Sequence, residues 1–87
     1  MDKDYFKRNV PLYLANDQDL YNQALEVNDY VIDNNQISNL YSATIRAIMR
    51  DSTTGFTLGK LPTYHEAITL KIIVAETAHQ LQEEAKS

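Results

Sequence analysis

No cysteine occurs in the 87 residues, which removes disulfide frameworks, thiolate zinc sites and cysteine nucleophiles together. Glycine and proline appear twice each, too few for the many tight turns of a β-sandwich or barrel. Tryptophan is missing, and tyrosine, with six copies against two phenylalanines, is the main aromatic. The longest aliphatic run, Ile72 to Ala75, is far shorter than the about 20 apolar residues that a spanning helix needs. Met1 to Asn9 mixes Asp2 and Asp4 with Lys3, Lys7 and Arg8, and no apolar stretch of signal-peptide type follows. The expectation is a cytoplasmic protein that does not enter a membrane. Positive charge is absent over a long stretch: no Lys or Arg lies between Asn9 and Ile45, where Asp17, Asp19, Glu26, Asp29 and Asp33 all fall.

What is present describes one globular domain, residues 1–87. Hydrophobic residues make up 44% and charged residues 23%, a folded composition and not a disordered one. A chain this short buries roughly 60–65% of its unfolded surface, which makes one modest core and leaves little room for a deep, dry active site. No internal repeat, low-complexity tract or linker divides it.

Periodicity and capping residues predict an all-α, compact bundle of about four helices with one loop at 51–62. In the first helix, about Lys3 to Ala15, Phe6, Val10, Tyr13 and Leu14 share a face. Pro11 lacks the amide that a helix interior uses, so either the helix kinks there or a short helix begins there after an extended arm. Asn16 and Asp17 are good N-caps for a second helix, whose stripe Leu20, Ala24, Val27 and Val31 runs until Asp33-Asn34-Asn35 breaks it. A third opens with Asp33 three residues before Gln36, a capping-box spacing, and keeps Ile37, Leu40, Tyr41, Thr44, Ile45, Ile48 and Met49 on one face as far as Arg50. Thr63 and Glu66 form a second capping box, and the last helix runs from there to about Ala85. Its first half, with Ile68, Ile72, Ile73 and Ala75 beside Leu70 and Val74, is apolar nearly all round, which predicts the central, buried helix. The β-branched run Ile68 to Val74 also fits a strand, but the cap before it and the polar continuation after it decide for helix.

Residues that could carry chemistry are few. His65 and His79 are the only histidines, and fourteen residues of helix hold them about 21 Å apart, too far to share a metal. Glu76 and Glu83 flank His79 as solvated neighbours. Gly55-Phe56-Thr57-Leu58-Gly59-Lys60 lacks the spacing of a phosphate-binding loop, and no nucleophile motif appears. The chain therefore reads as no enzyme, with no cofactor and no metal site. Tyr13, Tyr21, Tyr30 and Tyr41 suit core-edge positions with a wet hydroxyl, and tyrosine also serves contact surfaces and stacks on bases.

Two short stretches carry a resemblance. Asn35-Gln36-Ile37-Ser38-Asn39-Leu40, opening the third helix, and Leu70-Lys71-Ile72-Ile73-Val74-Ala75, in the last, resemble motifs of the small helical subunit of the type III-A CRISPR interference complex, the Csm complex. Ser38 stands where that family carries Arg, and His79-Gln80 stands where it carries Gly-Arg. The resemblance implies a non-catalytic helical subunit of a nucleoprotein assembly, whose partners are RNA, other protein subunits and further copies of itself. It implies Arg46, Arg50 and Lys60 as phosphate-facing residues, which position a backbone without reading sequence.

Charge balance suggests a second role. The acidic stretch is either a solvated helix face or a docking surface for a basic partner, where complementary charge speeds association. In that role the chain is an acidic protein-binding inhibitor, such as a bacteriocin immunity protein or a phage-encoded antagonist, and Asp19, Glu26 and Asp29 carry the contact.

Overall fold

The computed structural model describes residues 3–51 and 62–86. The described residues form four helices: α1 (Lys3–Asn16), α2 (Gln18–Leu25), α3 (Asn35–Asp51) and α4 (Tyr64–Ala85). No strand occurs among the described residues, so the chain is the all-α bundle that its periodicity predicts. The loop expected at 51–62 lies outside the described residues except at its two ends.

Each helix packs against all three others, and α1 lies most extensively on α4. The radius of gyration is 12.3 Å, close to the about 12 Å of a packed chain this long. The core takes a stripe from every helix: Phe6, Val10 and Leu14 from α1, Leu20 and Ala24 from α2, Ile37, Leu40 and Ile48 from α3, Leu70, Val74 and Ala78 from α4. Burying one such Leu, Ile or Phe contributes about 1.5–3 kcal/mol, so the stripes, not helix propensity, hold short helices together. Thr44 sits fully buried among them. Its hydroxyl donates to the Leu40 carbonyl at 2.7 Å, which satisfies the one buried polar side chain among the described residues.

Pro11 lies inside α1 and does not start it. Phe6, buried ahead of the proline, anchors the preceding turn in the core, and the helix runs on past the carbonyl of Lys7 that Pro11 leaves without its amide. A single extended residue, Asp17, then turns the chain into α2. Its carboxylate accepts from the amides of Asp19 at 3.0 Å and Leu20 at 3.2 Å.

The second helix is shorter than its hydrophobic stripe predicts. It ends at Leu25, and residues 27–34 are irregular. Two glutamines from other helices hold that end. Gln82 of α4 donates to the carbonyls of Ala24 at 2.8 Å and Val27 at 2.7 Å, and its own carbonyl accepts from the Tyr30 hydroxyl. Gln36 of α3 accepts from the Asn28 amide at 2.9 Å and donates to the Glu26 carbonyl at 3.4 Å. Val27 remains buried, but Val31 is 59% exposed, so the stripe expected to reach it stops at Val27.

The start of α3 also departs from its predicted cap. Asn34 and not Asp33 accepts the Gln36 amide, at 2.6 Å, which leaves Gln36 one position short of the box, and its side chain is turned to Asn28 and Glu26 instead. At α4 the predicted box is present in full: the Thr63 hydroxyl accepts from the Glu66 amide at 3.3 Å and the Glu66 carboxylate from the Thr63 amide at 2.9 Å. This helix touches every other one, yet it is not buried all round. Ile68 and Ile73 are half-buried and Ile72 is 43% exposed.

Candidate functional site

The start of α2 lies against the end of α3, and the end of α2 against the start of α3. Asp17, Asp19 and Gln23 line one shallow depression with Arg46, Ala47 and Arg50, while Gln23 and Glu26 line the next with Gln36 and Asn39. These hold about 190 and 160 Å³ and share Gln23, so they form one polar seam along the two helices. The charges at its first end sit where helix dipoles favour them, carboxylates at the N-terminus of α2 and Arg50 in the last turn of α3.

The seam brings together residues that the sequence assigned to two different roles. Asp19 and Glu26, expected to meet a basic protein, lie along it with Arg46 and Arg50, expected to meet RNA phosphates. All four side chains are exposed. Lys60 lies outside the described residues. Asp29 is exposed but stands beyond α2, so the three acidic residues do not share one helix. Its carboxylate accepts from the Val31 amide at 3.0 Å and the Asn34 side-chain amide at 3.2 Å, holding the turn that leads into α3.

A second surface escaped the sequence reading. Tyr30 and Ile32 of the irregular segment, with Ile72, Ala75, Glu76 and His79 of α4, line a groove of about 410 Å³. The His79 ring meets Tyr30 edge-on, with centroids 5.1 Å apart, and its Nε2 lies 3.7 Å from Glu83. The signal for this groove was the excess apolar surface of α4. It was read as burial, whereas the side bearing Ile72 faces outward.

A third hollow, of about 320 Å³, lies between α3 and the start of α4, lined by Tyr41, Ile45, Arg46, Pro62 and Ala67. Lys71 places its ammonium 5.7 Å from the centroid of the Tyr41 ring, within cation–π range. Burial, and then the nearby Glu66 carboxylate, push the Tyr41 phenol above its ordinary pKa of 10.0. His65 pairs edge-on with Tyr64 at the exposed start of α4, remote in sequence from His79. Among the described residues no three His, Cys, Asp or Glu side chains gather as a metal-binding set. No helix among them is long and apolar enough to cross a membrane.

This arrangement offers charged seams and an open apolar groove, the materials of a contact surface. No protein-family model, no curated protein and no solved structure matches the chain, so the reading of its function stands on these surfaces.

Proposed function

We propose that the chain is a non-catalytic helical module that works in the cytoplasm by binding another protein, its acidic side meeting a basic partner surface. The observation that carries this reading is the charge of one continuous stretch. Asp19, Glu26, Asp29 and Asp33 are all exposed, no Lys or Arg lies between Asn9 and Ile45 in the sequence, and Arg46 and Arg50 offset the charge only at the Asp19 end of the seam. Carboxylates so arranged attract a basic surface over about a Debye length and speed its docking. An inhibitor that masks a basic toxin or a nucleic-acid-binding surface fits this description.

The nucleoprotein-subunit reading implied by the resemblance is second. It is favoured by Arg46 and Arg50, exposed and one helical turn apart on α3. Against it, Asp17 and Asp19 line the same depression and weaken the positive field that a phosphate backbone requires.

The test is a low-salt pull-down of the full chain from the cells that make it, with and without RNase. A single basic protein, retained after RNase and released by salt, supports the first reading. Co-recovery of several subunits with a short RNA, lost on RNase treatment, overturns it in favour of the second.

A further inference from the structure

The apolar groove between residues 30–32 and α4 lies apart from the acidic seam and has a distinct chemistry. Its floor is Ile32, Ile72 and Ala75. The Tyr30 hydroxyl is already engaged by Gln82, so it does not point a free polar group at a small ligand. Glu76 stands on the rim, Glu83 lies beside His79, and Asp33 follows Ile32 in the chain; among the described residues neither Lys nor Arg lines the groove. Along α4, Ile72, Ala75, Glu76 and His79 are spaced i, i+3, i+4 and i+7, a strip about 10 Å long on one face. A strip of that spacing is what a second helix packs on, with its own side chains at i, i+3, i+4 and i+7.

We propose that this groove docks an amphipathic, cationic helix of a partner protein: aliphatic side chains fill the Ile32–Ile72–Ala75 floor and flanking Lys or Arg residues meet Glu76, Glu83 and Asp33. The proposal rests on the reading of a basic protein partner and says how that partner is gripped. Charge selects the occupant. A second copy of this chain, with net charge −4, brings carboxylates onto carboxylates, whereas a cationic helix neutralises them.

The experiment titrates the isotopically labelled full chain with a synthetic helical peptide carrying Leu at i, i+3, i+4 and i+7 and Lys on its flanks. A scrambled peptide of the same composition and a Glu-for-Lys version are run in parallel. The expected result is amide shift changes at Ile32, Ile72, Ala75 and His79 with the first peptide alone. Ile72→Asp then weakens binding by about tenfold or more, as expected for loss of a central apolar anchor. Because Ile72 is 43% exposed this variant keeps the fold, and Glu76→Lys, on an exposed residue, provides a second, charge-based loss.

Equal binding of the scrambled peptide, shifts confined to the α2–α3 seam, or no binding overturns the groove proposal. None of these touches the wider reading, which the pull-down decides separately. Self-association that saturates the same amides, seen by sedimentation, also overturns it and makes the groove an interface between copies.

Discussion

Gln82 and Tyr30, 52 residues apart, meet side chain to side chain: the tyrosine hydroxyl donates to the glutamine carbonyl. The amide end of the same glutamine donates to the Ala24 and Val27 carbonyls. One side chain of α4 therefore binds the end of α2 and the irregular segment after it at three points, alongside Gln36 of α3.

Replacing Gln82 by Ala removes two donated bonds and leaves the Tyr30 hydroxyl without this acceptor. The expected loss is about 1–3 kcal/mol, and a domain this small loses about 4–8 °C in Tm per kcal/mol. Gln82→Glu keeps the size but loses the donors and sets a carboxylate against two carbonyls, so it is at least as damaging. Thermal melts of the two variants check this; a wild-type Tm for either one would mean that the clamp holds nothing.

Thr63→Ala breaks the capping box of α4 at an exposed site where no packing changes. The expected cost is about 1 kcal/mol, and Thr63→Ser, which keeps the hydroxyl, restores most of it. Urea denaturation of the pair reads the difference. Equal midpoints for Ala and Ser would show that the cap adds no stability here.

The raised pKa of Tyr41 gives a direction for alkaline behaviour. Above pH 10.0 the unfolded tyrosine releases its proton while the folded one retains it, so the folded state binds more protons and stability falls with rising pH. Below that pH the contribution is fully present. Tyr41→Phe removes the titration, so the gap in stability between variant and wild type shifts in favour of the variant as pH rises above 10.0. A gap that stays constant through the alkaline range would contradict the assignment.

Charge substitutions separate the two functional readings. Asp19→Asn, Glu26→Gln and Asp29→Asn together are expected to weaken binding of the basic partner and flatten its salt dependence. Asn at position 29 keeps an oxygen for the Val31 amide but sets an NH2 against the Asn34 side-chain amide, so the helicity of the variant is checked by circular dichroism beside its binding. Arg46→Glu with Arg50→Glu leaves that binding in place. Loss of co-purifying RNA in the arginine pair, with intact helicity by circular dichroism, would instead support the nucleoprotein reading.

The parts of the fold legible in the sequence are those set by neighbours along the chain. The Thr63–Glu66 box starts α4 because both partners lie within one turn, and Asp17 caps α2 for the same reason. Phe6, Val10 and Leu14 are buried as their period indicates. The end of α2 was not legible. The stripe continues through Val27 to Val31, and the side chains that hold the end of the helix before it are Gln36 of α3 and Gln82, 58 residues from Ala24. The same limit hid the candidate surfaces. Asp19 and Arg46 were each singled out, but nothing local shows that they line one depression. The groove at Ile72 is lined by residues 30–32, which leave helical geometry, and by α4, and no local pattern shows that the two meet.

The reach of Gln82 has a consequence for synthesis on the ribosome. When the first three helices have emerged, Gln36 of α3 can already hold Glu26 and Asn28, but Gln82, the donor to the Ala24 and Val27 carbonyls, has not yet joined them. Long-range contacts form late because their closure entropy must be met first. The groove, and the hold of Gln82 on the end of α2, are thus completed in the same late event, when α4 docks. Until then the nascent chain has its hydrophobic stripes but not its binding surface, so recognition is confined to molecules that have completed folding.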